Sequence, residues 1–491
     1  MTSSKARRVL ACVASVAMAA AVMPATASAK KSKGGGGPET DRGAQCSGSS
    51  INGRGSTFQN PAQLIWNPGF NKTSAKKGGC PGSPTVDYKN TESKDRGSGS
   101  CLKAFGAEKH AVEREIDFCG TDEAPNAKQK EEIELHAEAG VEPEALETVP
   151  VLQGAVAVIV HLPAGCTASA EADIGGTTKA IRRLVLDQAT VEGLYRGTIS
   201  TWEGLLTAQG TDGHDAIVCK EPSELKEQIK RVVRQDHSGT THIFKTFLEQ
   251  VYSGKFEAEE YLESYEGSST GCGAVFPPEE KTWEEVAEAC PNQRWPEAAH
   301  VKHAKESGNP GVINEVASNA SSVGYADLAV AREYGQFSKK GQGGEGYSKF
   351  WVPVQNGEGL TYAEPSTDGD SEKGANSNCK GSEYVEGEGK HFPPASTRAL
   401  WNQAKAYKYE TGYPICGLTY DLAYRQYGFF GYGTEEVSKN IATTVENYLN
   451  YEVNAKGGGK AIAKKHDYEA LPSSIITEAK KGIEEIGWKK A

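Results

Sequence analysis

Residues 149–162, Val149-Pro-Val-Leu-Gln-Gly-Ala-Val-Ala-Val-Ile-Val-His-Leu162, form a nearly continuous apolar run rich in β-branched side chains. A strand with one wet face alternates apolar and polar residues. A run without that alternation is what a strand buried on both faces requires, and it predicts an α/β sheet. Outward from it, residues 191–206 (VEGLYRGTISTWEGLL) read as a helix end, a glycine stop and a second helix start. Residues 309–332 hold a helix-like segment and then a short strand, Ser322-Val-Gly-Tyr325. Ile475, Ile476, Ala479, Ile483 and Ile486 mark a final amphipathic helix. Two polar stretches, near 254–290 and 333–410, are rich in Gly, Glu and Ser and are expected to be surface insertions. The chain is too long for one typical core, so two lobes are expected.

The N-terminus predicts export. Lys5, Arg7 and Arg8 precede an apolar run from Val9 to Met23, and Ala27-Ser28-Ala29 fits a small-residue cleavage site. The run is too short for a stable membrane span. No second such run follows, so the mature chain is expected to lack a transmembrane helix. Cys12 lies inside the run rather than after it, so no lipid anchor is read. Residues 30–45 are basic, then glycine-rich, and read as a flexible tether. The formal net charge is -11 for the full chain, and cleavage removes only positive residues. An acidic surface argues against nucleic acid or an anionic membrane as the main partner, though not against a small anion. Ten cysteines remain after residue 29. An even number in an exported protein predicts disulfides. Cys101–Cys119 and Cys272–Cys290 are short closures consistent with the spacing, which leaves the connectivity open. No CxxC pair or Cys/His cluster points to zinc, and no metal site is expected.

Anion chemistry is concentrated in Arg234-Gln-Asp-His-Ser-Gly-Thr-Thr241. Ile243, Phe244, Phe247, Leu248 and Val251 fall on one face of a helix that this turn opens. Free N–H groups at a helix start, with a glycine that allows close approach, form an anion site. Arg234 adds a planar fork, Asp236 is placed to hold it, and Ser238 and Thr240 add hydroxyl donors. Three further stretches have the same character. Residues 53–58 (GRGSTF) are a glycine-rich turn before a helix-like segment with Leu64 and Ile65. Residues 96–105 (RGSGSCLKAF) are a Ser/Gly turn before a helix. Residues 117–125 (DFCGTDEAP) place Asp122 just after a short strand.

Taken together and in chain order, these stretches resemble the substrate-binding proteins of phosphate ABC transporters. The resemblance also takes in residues 149–163, 194–205, RWP at 294–296, NPGVINEVA at 309–317, SSVGYADLA at 321–329, YPICGLTY at 413–420 and DYEALPSSII at 467–476. It implies an α/β, two-lobe periplasmic-binding-protein-like fold with discontinuous lobes and a central ligand cleft. Lobe 1 would comprise residues 46–155 and a return segment, 412–491. Lobe 2 would comprise residues 156–411 with the two insertions. It implies inorganic phosphate as ligand, no cofactor, a monomer, and an ABC-transporter permease as a partner. The implied contacts are the Thr57 loop, the Phe58 backbone N–H, the Ser98 hydroxyl and amide, Asp122 as acceptor of the ligand's proton, and Arg234 held by Asp236. Ser238, Gly239 and Thr240 would close the cradle. The serine turn lies farther from Asp87-Tyr88 than the family pattern allows, so Ser93 competes with Ser98. Leu102-Lys-Ala-Phe105, following in register, favours Ser98.

Asp122 would set the selectivity. Phosphate at neutral pH carries an O–H donor and sulfate carries none, so a buried carboxylate accepts from one and repels the other. Other readings are a secreted protein of the same fold that binds another oxyanion or serves extracellular interaction, and a secreted phosphatase. Asp236, His237 and Ser238 contain the residue types of a hydrolytic triad, but adjacent residues cannot orient as a relay. No GxSxG elbow is present, and no catalytic residue is assigned. His237 is expected to be an ordinary loop residue, and His300 and His303 surface residues.

Overall fold

The computed structural model describes residues 43–89, 96–138, 145–209, 215–260, 279–287, 290–296, 302–335, 337, 348–356, 361–367, 376–379, 383–386, 396–402, 404–408, 412–462 and 466–488. Ten strands form the main sheet: β1 (Ile51–Gly55), β2 (Val86–Lys89), β3 (Phe118–Thr121), β4 (Leu146–His161), β5 (Lys230–Arg234), β6 (Lys302–Glu306), β7 (Ser322–Asp327), β8 (Lys349–Trp351), β9 (Cys416–Tyr424) and β10 (Tyr468–Glu469). The spatial order is β6-β5-β7-β4-β9-β3-β1-β2, with β8 and β10 also paired to β4.

The apolar run at 149–162 is the backbone of this arrangement. Every residue of β4 is buried except His161, which is half-buried, as a strand covered on both faces requires. Its first part, Leu146–Ala155, pairs antiparallel with β9. Its second part, Val156–His161, pairs antiparallel with β7. Around β2, β1 and β3 the pairing is parallel, and so it is around β6, β5 and β7. Two parallel half-sheets, one per lobe, are therefore joined through the antiparallel strands β4 and β9. Gly154 interrupts the β-branched run for a steric reason. A Cβ there would lie 2.7 Å from Cζ of Phe58, whose buried ring packs over the strand.

The expected helices form where their signals lie. Gln188–Arg196 ends at Gly197, whose φ of 89° is left-handed. Trp202–Ala208 is capped by Thr201, which accepts from the Gly204 N–H at 3.1 Å. Gly308–Ser318 precedes β7, and Ser473–Ile483 buries Ile475, Ala479 and Ile483. The helix Gly239–Val251 is buried on all sides over residues 239–248, including Lys245, so it is a core element rather than an amphipathic one. An aromatic cluster of Tyr195, Phe244, Trp295 and Tyr325 packs it into the second lobe, with Phe244 and Tyr325 stacked at 4.5 Å.

The helix expected around Leu64 and Ile65 forms as Asn60–Phe70, with Ala62, Gln63, Trp66 and Phe70 on its buried face and Leu64 58% exposed. Three expectations are corrected. Gly53-Arg-Gly55 is strand β1 rather than a turn, because these residues pair with β3 and, at Gly53 and Arg54, with β2; the turn begins at Ser56. The polar insertions are not confined to the surface: Trp283, Val286, Phe350, Trp351 and Trp401 lie in the main core, sparse in sequence but large in buried area. The last residues of the stretch read as a tether are bonded, Ala44 N–H to Ala75 O at 3.0 Å and Gln45 N–H to Asn447 Oδ1 at 3.0 Å.

Disulfides join Cys46–Cys80, Cys101–Cys119, Cys166–Cys219 and Cys379–Cys416. The second is one of the two short closures expected. The other falls on Cys272, outside the described residues, as do Ser93, His300 and the export signal. Among the described residues no helix is long and apolar enough to cross a membrane.

Candidate functional site

The loops that leave the carboxyl ends of the parallel strands meet between the two lobes. In open α/β sheets this is where ligands bind. Thr57 and Phe58 follow β1, Asp122 follows β3, Arg234 ends β5, and Ser238, Gly239 and Thr240 open the helix after it. Ser98 opens a helix whose preceding turn pairs with β1 at Gly55↔Arg96. All eight are buried, and the seven other than Gly239 are at 5% exposure or less.

Three of them touch directly. Ser98 Oγ accepts the Asp122 N–H at 3.0 Å and the Gly239 N–H at 3.1 Å, so one hydroxyl joins a residue of the first lobe to one of the second. Its own proton is left to donate elsewhere. The Gly239 N–H, expected to face an anion, is instead given to Ser98. A buried N–H left unpaired costs about 1–3 kcal/mol, and the nearest hydroxyl removes that cost. Glycine is required here, since a Cβ would sit 2.5 Å from both Asp122 Cβ and Ser98 Oγ. Ser238 Oγ accepts the Thr241 N–H at 3.2 Å and caps the helix, which also leaves its proton free to donate.

Asp122 is held by hydroxyls. Ser56 and Thr419 donate to its Oδ1, the latter at 2.8 Å. Gln59 fixes both, its backbone N–H donating to Ser56 Oγ at 3.0 Å and its Nε2 to Thr419 Oγ1 at 2.8 Å. Burial pushes the Asp122 carboxyl up to about 6, against the pull of Ser56, Thr419 and Arg234. At neutral pH it is therefore largely ionised and able to accept a further hydrogen bond.

Arg234 is clamped as expected. Its Nε donates to Asp236 Oδ1 at 2.7 Å and its Nη2 to Oδ2. Asp236 in turn accepts the Gly308 N–H at 3.1 Å. The third nitrogen, Nη1, is buried and has no hydrogen-bond partner among the described residues. Burial opposes the charge of this guanidinium, and Asp236 more than offsets it, so Arg234 stays cationic. Tyr325 fixes the loop, its hydroxyl lying 3.3 Å from the Arg234 N and 2.7 Å from Thr241 Oγ1.

Five more residues join the cleft or pack behind it. Asn309 donates from Nδ2 to Thr57 Oγ1 at 3.1 Å and to Thr240 Oγ1 at 3.2 Å. It too follows a parallel strand, β6, and the Gly-Asn-Pro helix start was the available signal. Glu123, next to Asp122, meets His237 across the cleft at 2.9 Å. Asn292 donates to Glu123 Oε2 at 3.2 Å and to the Ser238 carbonyl at 3.0 Å. Lys245 donates to the carbonyls of Val286, Asn292 and Arg294, which fastens that segment behind the helix. Contacts this distant in sequence carry no local pattern.

The triad reading fails on geometry. Asp236 faces Arg234, His237 faces Glu123, and Ser238 accepts from Thr241. Cys166, Cys219 and Glu224 lie close together, but the two sulfurs are joined in a disulfide rather than free as metal ligands.

Two parallel half-sheets joined by antiparallel crossing strands, with a polar cleft between them, define a two-lobe binding protein of the α/β class. The chain belongs to the PBP superfamily, whose domain model matches residues 39–375. Three solved structures share the fold at low identity. A high affinity periplasmic phosphate-binding protein (PfluDING) bound with phosphate is 16% identical, with 88% of this chain and 93% of that one covered and a TM-score of 0.51. The ancestral soluble variant of the Human Phosphate Binding Protein is 17% identical, with 87% and 92% covered and a TM-score of 0.50. A phosphate-binding protein from Stenotrophomonas maltophilia is 15% identical, with 88% and 93% covered and a TM-score of 0.50. No curated protein matches the sequence.

Proposed function

We propose that the chain is an exported binding protein for inorganic phosphate that delivers its ligand to an ABC-transporter permease. The observation that carries this reading is Nη1 of Arg234, a buried cationic donor with no partner among the described residues, in the same cleft as the Asp122 carboxyl, which burial raises to about 6. A ligand that suits both must carry negative charge for Arg234 and an O–H for Asp122. Phosphate has both. Thr57, Ser98, Ser238 and Thr240 supply hydroxyl protons, the Phe58 amide completes the set, and Gly239 leaves room for the Ser98 hydroxyl that its own N–H holds. Asp236 orients Arg234 from behind. The lobes are residues 46–155 with 412–491, and residues 156–411.

The three similar structures are named as phosphate-binding proteins, which agrees with this reading. The predicted export signal places the mature protein outside the cytoplasmic membrane, where such a carrier would work. Thermal unfolding of ligand-stripped protein tests the proposal. Millimolar phosphate should raise Tm by several degrees, since a ligand at 100 times Kd adds about 2.7 kcal/mol. Equal concentrations of sulfate should raise it far less. Equal shifts from both anions would reject phosphate as the selected ligand.

A further inference from the structure

We propose that Asn309 is a positioning residue for the bound anion: its carboxamide turns the hydroxyl protons of Thr57 and Thr240 toward the ligand, one from each lobe. This rests on the phosphate reading and states how two of its donors are set.

The amide has a fixed sense. Asn309 Oδ1 accepts the Asp327 N–H at 3.2 Å, so the oxygen must face that backbone. Rotating the amide by half a turn would set an NH₂ group against the Asp327 N–H. The NH₂ group therefore faces the threonines, with one hydrogen for Thr57 Oγ1 at 3.1 Å and the other for Thr240 Oγ1 at 3.2 Å. Asn309, Thr57 and Thr240 are 0%, 5% and 1% exposed, so bulk water does not compete. A hydroxyl that accepts at one lone pair must direct its single proton elsewhere. Among the described residues neither threonine donates to a protein acceptor. Both protons are thus left for a group in the cleft, and that group must accept.

The same amide connects the two lobes. Thr57 follows β1 in the first lobe, whereas Thr240 and Asn309 belong to the second. The residue before Asn309, Gly308, donates its N–H to Asp236, which clamps Arg234. One short segment, Gly308-Asn309, therefore sets the guanidinium through Asp236 and the hydroxyls through the carboxamide. Opening the lobes would remove Thr57 from the amide and leave Thr240 in place, so the Thr57 proton is oriented only in the closed form.

Phosphate affinities from calorimetry on the ligand-stripped mature chain test this through double-mutant cycles. Asn309→Leu should weaken phosphate binding by about 10- to 100-fold, the range of coupled buried polar groups. In a Thr57→Val or a Thr240→Val background, the same substitution should cost at least about threefold less, because one of the hydroxyls it acts through is already gone. A purely structural asparagine would give the same factor in every background, and that additivity would overturn the proposal. So would wild-type affinity in Asn309→Leu. If that variant does not fold, Asn309→Asp keeps the oxygen that accepts from Asp327 and removes both donors. Its carboxylate would draw the threonine protons away from the ligand, so affinity should fall at least as far. Unchanged affinity there would also overturn the proposal. Failure of the wild-type chain to bind phosphate would count against the phosphate reading, whereas additive cycles on a phosphate-binding wild type would count against Asn309 alone.

Discussion

Glu123 places Oε2 2.9 Å from Nε2 of His237, and the two residues follow strands β3 and β5 of the two parallel half-sheets. Both are buried, at 2% and 7% exposure. Burial alone would lower the His237 pKa, but Glu123 beside it outweighs that effect, with smaller help from Glu108 and Asp236, and holds it above 6.5. A histidine raised in the folded state contributes stability that is fully present below its unfolded pKa. That stability is lost as pH rises through the folded value. Wild-type Tm should therefore fall as pH rises from about 6.5, and Glu123→Gln should flatten the fall. At pH 6 the substitution should destabilise by up to about 3–5 kcal/mol, the cost of stranding one partner of a buried pair. Parallel Tm–pH curves for the two proteins would show that the pair does not act as a charged latch.

The Asp122 carboxyl titrates near 6, above the ordinary 3.8, because it is buried. The folded state keeps this proton longer than the unfolded chain does. Ligand-free stability should thus decline as pH rises from about 4 to 6, by at most about 3 kcal/mol. Asp122→Asn should remove that decline and raise the ligand-free Tm at pH 7. It should also narrow the preference for phosphate over sulfate, since an amide can donate to an unprotonated oxygen. Lowering the pH of the wild type through 6 should narrow the preference too, as a protonated Asp122 becomes a donor. Affinities for both anions at pH 5 and pH 7.5 check this, and a ratio unchanged by both substitution and pH would remove Asp122 from the site.

Arg234→Ala should weaken phosphate binding by at least about 30-fold, because it deletes a buried charged donor and leaves Asp236 unpaired beside the anion. Ser238→Ala should cost roughly tenfold or less, along with about 1 kcal/mol of stability from the lost helix cap. Equal affinities for the two variants would contradict the role given to the guanidinium.

Cys101 lies on the helix that Ser98 opens, and Cys119 lies in the strand that ends just before Asp122. This bridge therefore ties together the two elements that carry Ser98 and Asp122. We expect all ten mature cysteines to be oxidised, with Cys272 and Cys290 forming a fifth pair beside the four bridges seen. Alkylation without reduction, followed by mass spectrometry, reads this directly. Several alkylated cysteines in exported protein would refute it. Cys101→Ala with Cys119→Ala should destabilise by about 2–5 kcal/mol.

The frame of the molecule was legible because its physics is local. The unalternating run at 149–162 signalled a strand buried on both faces. The Gly, Ser and Asp turns signalled strand-to-helix junctions, and these junctions are where Asp122, Arg234 and Ser238 sit. The misses have the opposite character. Glu123–His237 and Asn309–Thr57 join residues 114 and 252 positions apart, and only the closed topology brings them together. Gly53-Arg-Gly55 misled because glycine marks turns in general, yet here it sits in a strand against the Phe118 ring, which a Cβ at Gly53 would strike. The polar insertions misled because mean composition hides a few large apolar residues. Trp283 and Trp351, with Val286 and Phe350 beside them, fasten their segments into the core.

A single phosphate bound at Arg234 can be read by isothermal titration of phosphate into the signal-free protein, stripped of co-purified ligand. Binding should saturate at about one phosphate per chain, persist in excess sulfate and be lost or greatly weakened in Arg234→Ala. No heat and no saturation with millimolar phosphate, from a protein that is folded and fully stripped, would contradict it.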